Sequence, residues 1–174
     1  MMMKMLEAGG IELATDNIRT ADEDNPKGYF ELERVKDLDK VEDKEWLSGY
    51  RGKAVKAISF LLKDLPDDHF YKIIFLRRDL DEVIASQNKM LERRGETDKR
   101  GDDEKMAGNY RFHLRKVDYL LKDRPVFQAL NVNYRDVIGD PLTQARRVNR
   151  FLGMNLDVDA MAQAVDPQLY RNRR

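Results

Sequence analysis

The stretch YKIIFLRRDLDEVIASQ, residues 71–87, decides the fold. Tyr71 to Leu76 is a short run rich in aromatic and β-branched residues, which predicts a buried strand. It runs out at Arg77-Arg78, and Asp79 then stands where a helix N-cap belongs, with Glu82 three residues on as in a capping box. Beyond the cap, Leu80, Val83, Ile84, Gln87, Met90 and Leu91 follow a 3.6-residue period with Gln87 the only polar member. A strand leading directly into a capped helix places both arginines at the carboxyl edge of a sheet, where open α/β folds bind ligands.

Outward from this unit the pattern repeats. Ile11–Thr15 reads as a short strand, Lys53–Ile58 as another and Val126–Val132 as a third after the one at 71. Helical patterns separate them: a short one over Glu31–Leu38, and one whose stripe is Tyr110, Leu114, Val117 and Leu121. Another begins at Asp140-Pro141, a cap followed by proline at the first helical position, and carries its apolar face to Gly153. A last amphipathic segment covers Val158–Val165 before a basic tail, Arg171-Asn172-Arg173-Arg174. Asn25-Pro26-Lys27-Gly28 has turn chemistry, and the charged segment from Glu92 to Lys105 reads as a surface loop or lid. The alternation predicts an α/β layer with parallel strands between helices.

The 174 residues suit one domain, 1–174, with a core of its own. Thirty-two basic and 32 acidic side chains cancel, so an electropositive site has to be local, and a general nucleic-acid binder is excluded. With no cysteine there is no disulfide, thiolate metal site or cysteine nucleophile, which suits a reducing, cytoplasmic setting. His69 and His113 lie in no metal-ligand spacing, and no metal is expected; His113 falls off the helical stripe and is expected in solvent. No apolar run approaches the ~18 residues of a membrane span.

Ser86 follows Arg78 by eight residues, on the second to third turn of the capped helix. A planar guanidinium fork and a hydroxyl near a helix start form a competent site for a phosphate monoester. The plainer alternative pairs Arg77 and Arg78 with Asp79, Asp81 or Glu82 and leaves Ser86 an ordinary helical serine.

At Arg78 and Ser86 the chain resembles sulfotransferases that use 3′-phosphoadenosine 5′-phosphosulfate (PAPS), in which an arginine ending a strand and a serine eight residues later hold the nucleotide's 3′-phosphate. The segment LNVNYRDVIGDPLTQARRVNRFLG, residues 130–153, is similar to a second family segment. There the resemblance sets Tyr134 near the adenine, although Arg135 replaces an acid of the family's triplet. MMMKMLEAGGIELATD, residues 1–16, is similar to the helix and strand that follow the family's first phosphate loop, usually Pro-Arg-Ser-Gly-Thr. That loop and its strand are not in this sequence, and the helix at Met1 has no capping residue before it, so the resemblance implies an N-terminally incomplete domain of doubtful activity.

The resemblance implies a P-loop-like three-layer α/β/α fold with a parallel sheet lacking its first strand. It implies sulfuryl transfer from PAPS to a hydroxyl of a small-molecule or glycan acceptor. Such chemistry needs a base and cations. Asp16 matches the place of a glutamate base in some members, and Glu31 is a second candidate; for each the alternative is a loop carboxylate or helix cap. Lys56 lies where other members carry a lysine near the transferred group, while the histidine of their Lys-Thr-His triplet is replaced by Ile58. Two rivals stand beside this reading. A nucleotide or small-molecule kinase would need a Gly-x-x-x-x-Gly-Lys-[Ser/Thr] loop and a magnesium-binding acid, neither of which is visible. A non-catalytic nucleotide-binding or interaction protein would need only the fold.

Overall fold

The computed structural model describes residues 1–16, 18, 28–97 and 101–166. The turn residues Asn25 to Lys27, the residues numbered 98–100 in the expected lid, and the basic tail lie outside them.

Two strands pair in parallel: β1 (Tyr71–Arg77) and β2 (Phe127–Asn133), in the register Tyr71 to Phe127 through Arg77 to Asn133. The helices are α1 (Met2–Ala8), α2 (Leu80–Arg93), α3 (Asp103–Asp123), α4 (Tyr134–Gly139), α5 (Pro141–Leu152) and α6 (Val158–Gln163). Alternation along β1 sorts its side chains between two cores. Ile74 and Leu76, with Leu130 and Val132 of β2, pack against Met5, Val148 and Met161 from α1, α5 and α6. Tyr71, Ile73 and Phe75, with Phe127 and Ala129, pack against Val117 and Leu121 of α3 and against Leu62. Helices therefore cover both faces of the small sheet, as parallel strands require. A third core, with Leu38 and Leu47 at its centre, gathers the 3₁₀ segments Glu33–Asp37 and Glu45–Tyr50.

Two expected strands are reduced. Of Ile11–Thr15 and Lys53–Ile58 there remains one parallel bridge, Leu13 to Ala54, held by Ala14 N donating to Ala54 O and Ala54 N donating to Glu12 O, each 2.9 Å. Their composition suits strands, but among the described residues the two backbones pair at this one point and no ladder extends from it. The helix expected over Glu31–Leu38 is the tighter 3₁₀ form at Glu33–Asp37. α3 starts well before its apolar stripe, at Asp103, because Asp102 caps it by accepting from Lys105 N at 2.9 Å.

α5 is built as its sequence indicates. Asp140 accepts from Thr143 N at 3.0 Å, Pro141 opens the first turn, and Gly153 closes the helix at φ 64°. The Lys72 ammonium of β1 donates to the terminal carbonyls of Phe151 and Leu152, at 3.0 and 2.6 Å, which ties helix end to sheet. A side chain at position 153 would be held in the left-handed region. Gly153→Ala is therefore expected to cost about 1 kcal/mol and to lower Tm by roughly 2–4 °C, measured by calorimetry.

Candidate functional site

β1 delivers Arg77 and Arg78 to the start of α2, and the two side chains part there. Arg77 Nε donates to Asn131 Oδ1 at 2.8 Å and its guanidinium pairs with Asp118 on α3. Arg78 turns toward α2 and α4: its Nε donates to Glu82 Oε2 at 3.3 Å and its guanidinium lies over the Tyr134 ring, 5.2 Å from the centroid. Glu82, 1% exposed, also accepts from Arg135 Nε at 3.1 Å and Nη2 at 2.5 Å. The pairing of Arg78 with Glu82 that the plainer reading expected is present. It is one half of a bridge in which one carboxylate serves two guanidinium groups, so the trio keeps a net positive charge. The cap is also formed, Asp79 Oδ1 accepting from Asp81 N at 3.0 Å and Glu82 N at 3.3 Å. Arg135, half exposed, is thus the second cation on the buried Glu82 carboxylate.

Beside β1 opens a cleft of about 1660 Å³. Every residue from Tyr71 to Arg78 lines it, and so does every residue from Arg51 to Ala57. Side chains alternate across a strand, so a wall made of consecutive residues is a strand edge rather than a face. α2 supplies Ser86, Lys89, Met90 and Arg93, the i, i+3, i+4, i+7 row of one helix face. The apolar stripe read from this helix divides: Ile84 and Leu91 are buried, whereas Leu80, Val83, Gln87 and Met90 border the cleft. Arg78, Ser86 and Tyr134 all line it. Among the described residues nine lysine and arginine side chains and one carboxylate, Asp166, line it, although Lys4, Lys53, Lys56, Arg77 and Arg78 are each paired with a carboxylate outside the lining. Such a surface, partly walled by low-dielectric core, concentrates anions.

Lys56 also lines the cleft, donating to Tyr29 O at 2.9 Å and Glu31 Oε1 at 3.1 Å. Burial pushes the Glu31 carboxyl up, but the hydrogen bonds from Lys56 and Lys36 overcome this and hold it below the usual carboxylate range. Asp16 accepts from Glu33 N at 2.6 Å and Ile18 N at 3.1 Å, and those two bonds lower its pKa. Neither carboxylate is among the residues lining the cleft. Asp16 organises the turn into the 3₁₀ segment, and Glu31 braces Lys56.

His113 departs from expectation. It is half-buried on the cleft side of α3, its Nε2 2.8 Å from Ser59 Oγ and its ring stacked on Phe60 with centroids 3.7 Å apart. Burial, with the nearby Lys116 ammonium, lowers its pKa. The signal lay in Tyr110, His113, Leu114 and Val117, an i, i+3, i+4, i+7 row that holds the histidine on the same face as the stripe. His69, also at the cleft, lies between Ser48 Oγ, 3.0 Å from its Nε2, and the Asp68 carboxylate. Among the described residues no group of three histidine or acidic side chains could hold a metal, and no helix is long and apolar enough to cross a membrane.

A two-cation bridge at a strand end, a helix hydroxyl and a largely basic cleft make a surface chemically suited to an anionic ligand. The profile of the sulfotransferase family matches residues 18–158, a span that includes Arg78, Ser86, Lys56, His113 and Tyr134. The chain belongs to the sulfotransferase family. No curated protein and no solved structure matches it. Within this sulfotransferase-family chain, the small parallel sheet and its flanking helices agree with the α/β fold expected from the sequence. Membership makes a group-transfer role the natural reading of the cleft.

Proposed function

We propose that this chain is a single sulfotransferase-like domain, of the P-loop-like three-layer type, that binds PAPS in the cleft beside β1 and transfers its sulfuryl group to a hydroxyl of a small-molecule or glycan acceptor. The observation that carries the reading is the predominantly basic lining of that cleft, which Arg78 and Ser86 both border. The residues fit the 3′-phosphate end of the donor. Arg78 offers a guanidinium already oriented by Glu82 and Tyr134, and Ser86 Oγ makes no hydrogen bond among the described residues. Lys89 and Arg93 continue the basic row on α2.

When bound, the donor supplies an activated sulfuryl group on a phosphate leaving group. The chain's own part is to bind, orient and balance charge. Arg78 and Ser86 hold the 3′-phosphate, Tyr134 borders the adenine, and Lys56 neutralises negative charge at the sulfuryl end. Glu31, ion-paired to Lys56, fixes that ammonium, and it and Asp16 are the carboxylates available as base. Both are held below the ordinary carboxylate range, which keeps them ionised but weakens them as proton acceptors.

Thermal-shift titration tests the reading. At a hundredfold excess over Kd, 3′,5′-adenosine bisphosphate should add about 2.7 kcal/mol, a rise of roughly 5–10 °C for a chain of this size, and ATP should add far less. No response to the bisphosphate would remove the donor site. Stabilisation without sulfuryl transfer is the result expected of a non-catalytic nucleotide-binding protein of the same fold.

A further inference from the structure

We propose that His113 is the general base of this site, accepting the acceptor hydroxyl's proton while Ser59 holds the imidazole in place; the role rests on the sulfuryl-transfer reading. Three observations place it there. The ring borders the same cleft as Lys56, Arg78 and Ser86. It is fixed from two sides, by stacking on Phe60 and by the 2.8 Å contact of Nε2 with Ser59 Oγ. Its Nδ1 makes no hydrogen bond among the described residues. With Nε2–H donated to Ser59, Nδ1 carries the lone pair that takes a proton.

The carboxylates read from the sequence are worse placed, since Asp16 is engaged with backbone N–H groups and Glu31 with two ammonium groups, and neither lines the cleft. In the transfer step the acceptor oxygen forms the new bond to sulfur and its proton passes to His113 Nδ1. The bond from sulfur to the leaving phosphate oxygen breaks, its electron pair staying on that oxygen, and the imidazolium returns its proton to solvent. Burial and Lys116 favour the neutral ring. Among the described residues the charged group that acts on the ring is Lys116 of α3, and the ring's two contacts, Ser59 and Phe60, are uncharged. Burial and Lys116 both lower its pKa and no carboxylate among the described residues acts against them, so the base is available at neutral pH.

The test uses the whole chain, whose two histidines give two sets of imidazole signals, assigned with His113→Gln. With 3′,5′-adenosine bisphosphate bound, adding 4-nitrophenol or a methyl glycoside should move the His113 signals saturably. Ser59→Ala should shift the His113 pKa, and with it the acid limb of kcat/KM for transfer from PAPS. His113→Gln and His113→Asn should each lose at least about 100-fold in transfer and flatten that limb, with the thermal shift by the bisphosphate unchanged. Transfer within threefold of the parent in either variant, an acid limb that survives, or His113 signals unmoved by both acceptors would overturn the assignment. An absent bisphosphate shift in the parent chain would instead overturn the donor site on which the role depends.

Discussion

Arg78→Ala is expected to abolish the rise in Tm that 3′,5′-adenosine bisphosphate produces in the parent chain. A charge-assisted hydrogen bond to a phosphate contributes about 1.5–3 kcal/mol, and a guanidinium can make two at once. Losing both amounts to a fall in affinity of roughly a hundredfold or more, at about 1.4 kcal/mol per decade. The unliganded variant should also melt lower, because the buried Glu82 loses one of the cations that match its charge. The ligand-induced increment, measured against each protein's own baseline, is therefore the quantity that decides. Arg77→Ala is the matched control: its guanidinium is taken up by Asp118 and Asn131, and the increment should survive. A retained increment in Arg78→Ala would show that the phosphate binds elsewhere.

The largest loss of stability is expected at Glu82. Its carboxylate is 1% exposed and bridges Arg78 to Arg135 across the junction of β1, α2 and α4. Removing the buried carboxylate deprives two guanidinium groups of its charge, but Arg135 is 52% and Arg78 26% exposed, so water offsets part of the loss and the cost falls to about 1–3 kcal/mol. Glu82→Ala should therefore lower the free energy of unfolding by that amount in urea titration, with little change in the slope. Glu82→Gln keeps the shape and part of the hydrogen bonding, and should cost less. It should also leave Arg78 without its anchoring charge, so bisphosphate affinity should change even where the fold survives. A Glu82→Ala loss below about 1 kcal/mol would mean the cluster is more open to water than its burial indicates.

Local chemistry was legible wherever a residue acts on its own neighbours. Asp79, Asp140 and Gly153 announce the ends of α2 and α5, because a cap is satisfied within a few residues. The apolar run at 71 announces β1 for the same reason. Pairing is not local, and the segments at 11 and 53 show the limit: each has strand composition, yet a single bridge is all they share. Glu82 illustrates a second limit. A charged residue in the first turn of a helix ordinarily faces solvent, and Arg135, the cation that joins Arg78 on the buried Glu82, lies 53 positions on. His113 was hidden in the same way, its partner Ser59 lying 54 positions away. The basic lining of the cleft is drawn from segments scattered along the chain, none of which is basic as a run, so a balanced composition conceals it.

The exposed flank of β1 gives the cleft an unusual kind of wall. Amide and carbonyl groups are common to every residue type except proline's missing N–H, so exchanging one side chain for another along Tyr71–Arg77 changes what lies above and below that wall far more than its own polarity. Evolution of ligand preference is thereby pushed onto the helices that border the cleft, where Ser86, Lys89, Arg93 and His113 can be altered one at a time.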